Sequence, residues 1–498
     1  MRLNSEYTFY LIAQAIWSKR NIIMKWSLDK QLFTGLALVL FLFNLLVTND
    51  QVWLWLGAES RIAASIIEND LHHPLAWLQS QFSAGDPFQT LNFRLPSAII
   101  LVLGISLMIF LSRKILSPNL QLGFLLVLIS NFFIIGLGRL GTADSWLLVF
   151  QSTAILALIR FLKSPGWTWR LLTYGSIFIA VWLDPLSSLL LFFLLPTVYY
   201  LMHKDGKRIW RLNPWLGTIF SLLCLFLLKG KVDWFGSYSY LGWAHTNIFR
   251  FVLLLLLGFL PFLGFLGAGL YSGIKNLRQK EEFSLFFIPW VVLALLVQSN
   301  SAAVVMAIII ARHVNDYFLE RYPFDGIIKG ITVMQLIGFF FLASFIMLGG
   351  MFIFQGEGFR AGLAFSGVYW MLSFVLVIGL YAKRKRLVFA GLYLSGLLAM
   401  VLFSLRAMPL LEQGRIPRLM VEQIEADRRP FQEIQKEIPW LTEEDNTNLY
   451  LNRMEQALSQ TESKQILIIR ESSPEDSTRI SGWRDNFKLK NFQLIWTE

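Results

Sequence analysis

The sequence predicts a mainly α-helical, polytopic membrane protein. A transmembrane bundle of about thirteen spans covers 32–405, and a small α/β module outside the membrane covers 406–498. Three observations carry that prediction. Of the 498 residues, 55% are hydrophobic and only 15% are charged, with a mean hydropathy of +0.54. Soluble domains carry about a quarter charged residues. Apolar runs long enough to cross ~30 Å of hydrocarbon recur throughout 32–405, and stretches such as Phe251–Leu270 have no polar face at helical period, which excludes a soluble helical protein.

The N-terminal segment 1–31 holds Arg2, Lys19, Arg20, Lys25 and Lys30, which argues for a cytoplasmic start without a cleavable signal peptide. Span 1 (about 32–48) leads to a long first outer loop, 49–94, and span 2 (about 95–112) returns to Arg113-Lys114. Spans 3 to 6 (about 119–137, 145–162, 168–183 and 186–202) re-enter at HKDGKR, His203–Arg208. Span 7 (about 213–229) opens a Trp- and Tyr-rich loop, Lys231–Asn247, and span 8 (about 250–270) ends at KNLRQK, Lys275–Lys280. Spans 9 and 10 (about 284–298 and 302–317) turn at Ser299-Asn300-Ser301. Spans 11 to 13 (about 328–350, 363–382 and 387–405) are joined by the loop QGEGFRAG and by KRKR, Lys383–Arg386.

Every strongly basic short loop falls on one side of this arrangement, as the positive-inside rule requires. Residues 405–498 have a charge balance of −3 and residues 1–404 one of +14. The excess therefore reports topology rather than nucleic-acid binding. The single cysteine, Cys224, lies in an apolar run and allows no internal disulfide. Beyond Arg406, 419–438 reads as an amphipathic helix, and NTNLYLN (446–452), KQILIIRES (464–472) and FKLKNFQLIWTE (487–498) read as strands.

Chemistry concentrates in the outer loops. An ordered loop of this length is usually functional. Glu59 lies near the start of a short helix with Ile62, Ala63, Ile66 and Ile67 on one face, expected to lie along the membrane surface. A carboxylate there suits the helix dipole or, functionally, a base at the water–lipid boundary, and Arg61 beside it suits an anionic phosphate. Arg139 and Asp144 occupy the next outer turn, where they either snorkel to water or face the same pocket as Glu59. His72 and His73 are adjacent and poorly placed to ligate one ion, so they are read as hydrogen-bond donors on the phosphate side, with no metal.

These same residues bring a family into view. Asp70–Ala98, with HHPLAWL, SAGD and FRLPSA, resembles the H-P-P-L-x-x-x-L…F-G-D-S…x-R-L-P-S-A segment of bacterial dolichyl-phosphate-mannose-protein mannosyltransferase-like enzymes. Those are GT-C class integral-membrane glycosyltransferases, the lipid A aminoarabinose transferases among them. AESRIAASII (Ala58–Ile67) is similar to that family's D-E-x-R helix, and GRLGTADSW (Gly138–Trp146) to its R-x-x-x-T-D segment. Three departures stand out. Ala58 replaces the leading Asp, Leu183-Asp184-Pro185 replaces K-G-P, and Ser299-Asn300-Ser301 replaces the start of S-K-x-P-x-Y-x-x-P.

The resemblance implies a GT-C-like bundle and sugar transfer from a polyprenyl-phosphate donor to a lipid, glycan or protein acceptor on the outer face of a bacterial plasma membrane. It implies catalytic roles for Glu59 and Asp144 and donor-phosphate contacts from Arg61, Arg139, His72, His73 and Arg94. No cofactor is called for beyond the donor. A divalent metal is left open with no ligand cluster behind it, and a membrane-complex partner could dock on the C-terminal module. Two alternatives stay open: a catalytically degenerate scaffold subunit and a transporter or flippase. The latter predicts charged or Gly/Pro-broken segments in repeated halves, whereas the charges here crowd the outer loops.

Overall fold

The computed structural model describes residues 31–47, 57–67, 74–84, 90–203, 206–229, 238–241, 246–319, 325–407, 433–436, 466–471 and 492–497. The expected apolar runs are helical and follow one another in the expected order. They are α1 Gln31–Leu46, α2 Gly57–Ile67, α3 Pro74–Phe82, α4 Thr90–Ser112, α5 Pro118–Ile129, α6 Phe132–Arg139 and α7 Asp144–Lys163. Then come α8 Trp167–Leu183, α9 Pro185–Met202, the short α10 Ile209–Leu212, α11 Pro214–Lys229, α12 Ile248–Gly258, α13 Leu263–Arg278, α14 Glu282–Leu296 and α15 Ser301–Phe318. The helical path closes with α16 Asp325–Tyr381 and α17 Lys385–Leu402, which runs into a π-helical turn, Phe403–Ala407.

Local chemistry sets many of these boundaries. Pro118 and Pro185 open α5 and α9, where a missing N–H costs nothing. Asp184 caps α9, accepting from the Ser187 hydroxyl at 2.6 Å and from its N–H at 3.4 Å. Asn247 caps α12 in the same way through the Arg250 N–H at 2.8 Å.

Among the described residues, six helices are long and apolar enough to cross a membrane, or eight if each bent pair is one span. The expected count of about thirteen is higher, for physical reasons. Span 3 is broken into α5 and α6 at a 57° bend, where Asn131 caps the new helix by accepting from the Ile134 N–H at 3.1 Å. Span 8 is broken between α12 and α13 at Leu260-Pro261-Phe262. Spans 1 and 9 are shorter apolar helices, and span 10 carries Arg312, His313, Asn315 and Asp316.

Two further expectations are corrected. QGEGFRAG was expected as a loop but is helical within α16. A straight helix would hold positions 343 and 366 about 34 Å apart. The Ser366 hydroxyl nevertheless donates to the Ala343 carbonyl at 2.9 Å, and the Phe339 and Tyr369 rings meet at 4.0 Å. The path therefore folds back on itself, so the two expected spans form an antiparallel pair. The second correction lies in the C-terminal stretch. Glu433–Lys436, placed by sequence in an amphipathic helix, is strand β1 and pairs in parallel with β2, Ile466–Glu471. β2 pairs antiparallel with β3, Phe492–Thr497, giving the order β1-β2-β3. Cross-strand pairing has overridden the local helical pattern. The strand expected at 446–452 lies outside the described residues.

The core is contiguous through the bundle, and helices approach closely where side chains are small. A Cβ on Gly104 would lie 2.2 Å from the Val149 side chain, bringing α4 against α7. Gly396 of α17 faces the α5–α6 break: a Cβ there would sit 2.1 Å from the Ser130 carbonyl oxygen, which cannot move as a side chain could. Gly396→Leu is expected to lower stability by about 1–3 kcal/mol or more. An unchanged melting temperature of the purified protein would show that α17 does not press on the break.

The basic loops gather at one end of the bundle. Lys163 pairs with Glu282 at 3.0 Å, Arg208 donates to the Leu162 carbonyl at 3.2 Å, and Lys385 donates to the Phe318 carbonyl at 2.8 Å. At the same end Arg312 pairs with Glu281 and lies 4.2 Å from the Phe283 ring centre. Burial pushes the Glu281 carboxyl up, but the Arg312 hydrogen bond and charge outweigh it and hold it below its ordinary value. Such a group stabilises the fold above its unfolded pKa, ~4.3, and loses that contribution as pH falls through the folded value. Glu281→Gln should be less stable than wild type at about pH 7, and the difference should close as the pH falls through the folded value. A difference that persists in acid, read by thermal melts, would rule out the ion pair as its source.

Candidate functional site at the end opposite the basic loops

The turn between α6 and α7, Leu140–Ala143, is the hub of the other end. Gly141 offers both backbone groups to the first outer loop. Its N–H donates to Glu59 Oε1 at 2.8 Å, and its carbonyl accepts from Gln79 Nε2 at 2.7 Å. A Cβ at this position would lie 2.3 Å from the Phe93 ring, so the approach of α2, α3 and α4 to the turn needs glycine.

Glu59 is fully buried. Arg94, 2% exposed, grips it with two parallel bonds, Nε to Oε1 at 2.8 Å and Nη2 to Oε2 at 2.9 Å. This fork-to-fork geometry is the strong form of a carboxylate–guanidinium contact. Glu59 was expected to meet Arg61 or Arg139; Arg94, near the start of α4, takes that place. The apolar face of α2 is also not turned to lipid. Ile62, Ala63 and Ile66 pack with Leu75, Phe93, Leu147 and Leu183 inside the protein.

Asp144, also fully buried, is held entirely by uncharged donors. Its oxygens accept from the Thr142 hydroxyl at 2.7 Å, the Ser239 hydroxyl at 2.6 Å, the Tyr240 and Leu241 N–H groups at 2.7 and 3.1 Å, and Asn300 Nδ2 at 3.2 Å. It thereby clasps the loop segment 238–241 and the turn before α15. Behind it a buried polar chain runs from Ser188 through Gln151 and Ser299 to Ser301 and the Trp290 indole.

Arg139 ends α6 and is buried. Its Nη1 donates to the Asn44 carbonyl at 2.9 Å and the Ser404 hydroxyl at 2.6 Å, and its Nη2 donates to the Val47 carbonyl at 2.9 Å. It closes the C-terminal end of α1, where orphan carbonyls need donors. Arg61 is half-buried on α2, two positions from Glu59. His72 and His73 lie outside the described residues. Among the described residues no group of three or more His, Cys, Asp or Glu side chains could hold a metal ion.

The structure thus unites Glu59, Arg94 and the 139–144 turn, and it sets Arg139 and Asp144 to tasks of their own. Sequence reading missed Gln79, Gly141, Ser239 and Asn300 as parts of this assembly. Only Gly141 and Asn300 carried a signal, the first inside GRLGTAD and the second as the residue standing where a lysine was expected.

Together these features define a polytopic helical membrane protein with a buried carboxylate–guanidinium pair at one end of its spans. The particular likeness is to ArnT. The chain matches the crystal structure of ArnT from Cupriavidus metallidurans in the apo state with a TM-score of 0.60, at 16% identity over 95% of this chain and 98% of that one. It matches the same protein bound to undecaprenyl phosphate with a TM-score of 0.58, at 15% identity over 91% of this chain and 94% of that one. No protein family and no curated protein matches the sequence.

Proposed function

We propose that this chain is a membrane glycosyltransferase that moves a sugar from a polyprenyl-phosphate donor to a lipid, glycan or protein acceptor at the Glu59–Asp144 face. The observation that carries the reading is the Glu59–Arg94 pair seated on Gly141 in a chain that shares its fold with an undecaprenyl-phosphate-bound protein. A guanidinium fork fits phosphate as well as carboxylate. A donor phosphate drawing on Arg94 frees an oxygen of Glu59 to take the proton of an acceptor hydroxyl or amine. The acceptor then forms the new bond to the anomeric carbon as the carbon–phosphate-oxygen bond breaks, and the electron pair leaves on the polyprenyl phosphate, steadied by the cation.

Arg61, His72 and His73 complete the donor side in this reading. Arg139 and Asp144 fix the ends of α1 and of the 238–241 segment around it. The membrane is the bacterial plasma membrane with this face outward, and 406–498 forms an outer module for an acceptor or a membrane-complex partner. Glu59→Gln should cut transfer by roughly 10²–10⁴-fold while folded protein is retained. The measurement is mass spectrometry of envelope glycolipids and glycoproteins from cells with and without the chain. Undiminished transfer in the variant would refute the role of Glu59. No glycan difference between cells with and without the chain would favour the second reading, a scaffold that keeps the fold without turnover. The saturation of every Asp144 oxygen speaks for that reading.

A further inference from the structure

A second concentration of charge lies at the basic end, away from the carboxylates, where α4 and α8 both pack on α7. Between Pro87 and Leu183 the sequence holds one acidic residue, Asp144, which starts α7 at the opposite end. This end of the same three helices carries Arg113, Lys114, Arg160, Lys163 and Arg170. Lys163 has Glu282 as its partner. Among the described residues no carboxylate pairs with the other four. Arg160 stands about 24 Å along α7 from Asp144, close to the far edge of ~30 Å of hydrocarbon.

Aromatic rings hold these cations in place. The Arg160 guanidinium lies 5.0 Å from the Trp169 ring centre, and the Trp169 ring lies 6.2 Å from that of Phe110. Arg113 lies 5.4 Å from the same Phe110 ring. On the other side Arg170 lies 5.8 Å from the Phe161 ring centre and donates to the Arg211 carbonyl at 2.7 Å. A guanidinium stacked on a ring keeps its N–H edge for an anion. In Arg160 that edge is unsatisfied. Nε and Nη1 are buried and find no hydrogen-bond partner, which leaves Nη2 as the nitrogen open to the surface. Arg113 and Lys114 are exposed.

The surroundings decide what kind of anion fits. Ile99, Leu103 and Phe110 are exposed on one face of α4, a stripe roughly 16 Å long that ends at Arg113. Cations at the membrane edge with an apolar path leading away from them suit a molecule with an anionic head and hydrocarbon tails. We propose that this α4–α7–α8 corner binds an anionic phospholipid of the adjacent leaflet, its phosphate at the Arg160 edge with Arg113 and Lys114 beside it, and one acyl chain along the α4 stripe. Basic sites between transmembrane helices take such headgroups. The site is separate from the glycosyltransferase reading and does not rest on it.

The test is native mass spectrometry of the full-length chain in detergent, titrated with phosphatidylglycerol or with phosphatidylcholine. Wild type should retain phosphatidylglycerol in preference to phosphatidylcholine. Arg113→Gln should weaken phosphatidylglycerol about fivefold, and Arg113→Gln/Arg160→Gln about 25-fold. Lys280→Gln, on the α13–α14 turn of the same end, should leave retention unchanged. Equal retention of both lipids by wild type, or undiminished phosphatidylglycerol in the Arg113 variants, overturns the proposal. An equal loss in Lys280→Gln overturns it in favour of a diffuse basic surface. Displacement of the lipid by inorganic phosphate or by a polyglutamate peptide also overturns it, since the corner would then take soluble anions. If the double variant does not yield folded protein, Arg113→Gln decides.

Discussion

Arg94→Met should be among the most damaging single substitutions in the protein. The guanidinium is 2% exposed and Glu59 is fully buried, so the change leaves a carboxylate with only part of its ligand set in a site that water does not reach. Removing one partner of a buried pair typically costs about 3–5 kcal/mol, whereas replacing both by apolar groups of similar volume is often neutral. The double variant Glu59→Met/Arg94→Met should therefore recover much of the melting temperature lost by Arg94→Met, while transfer stays abolished. A double variant no more stable than the single one would show that Arg94 acts through packing alone. Recovered folding with recovered transfer would remove Glu59 from the chemistry altogether.

Asp144→Leu is the second. It strands the Thr142 and Ser239 hydroxyls, the Tyr240 and Leu241 amides and the Asn300 amide together, and each buried unsatisfied donor costs about 1–3 kcal/mol. Relaxation and water entry recover part of that, so a net loss of about 3–5 kcal/mol is expected, comparable with breaking a buried pair. Asp144→Asn keeps the shape and should fold, with acceptance lost on one side only. Hydrogen exchange locates the effect: amides at 240 and 241 should exchange faster in Asp144→Leu, while the α4–α7 interface is unchanged. Uniform acceleration across the bundle would mean Asp144 supports the fold at large rather than the loop segment.

The bundle was readable because lipid imposes one demand, apolar runs of a minimum length, and those runs appear without any knowledge of packing. Breaks within them were less readable. Ser130-Asn131 sits in a run whose average composition is still apolar, and only the capping ability of Asn131 marks it. The reversal inside α16 was half legible: two spans were expected, but a helical turn between them was not. At the site, Glu59 and the 139–144 turn stand out in the sequence as chemically unusual segments. Their partners do not, because whether Glu59 meets Arg61, Arg94 or Arg139 depends on how the loop helices pack against the bundle. Asp184 is a similar case. Read as an anion gained at the glycine of the expected K-G-P, it is a helix cap bonded to Ser187, a local role its Asp-Pro setting allows.

The reach of Arg139 has a bearing on topology. One guanidinium holds the carbonyls of Asn44 and Val47, where the chain leaves its first helix, and the hydroxyl of Ser404, where it leaves its last. The C-terminal ends of the first and last described helices are thus pinned together within the span of a single side chain. Whatever the number of passes, it must be even between those two points. The chain consequently leaves α1 and α17 at the same end of the bundle, a conclusion that needs no counting of lysines and arginines.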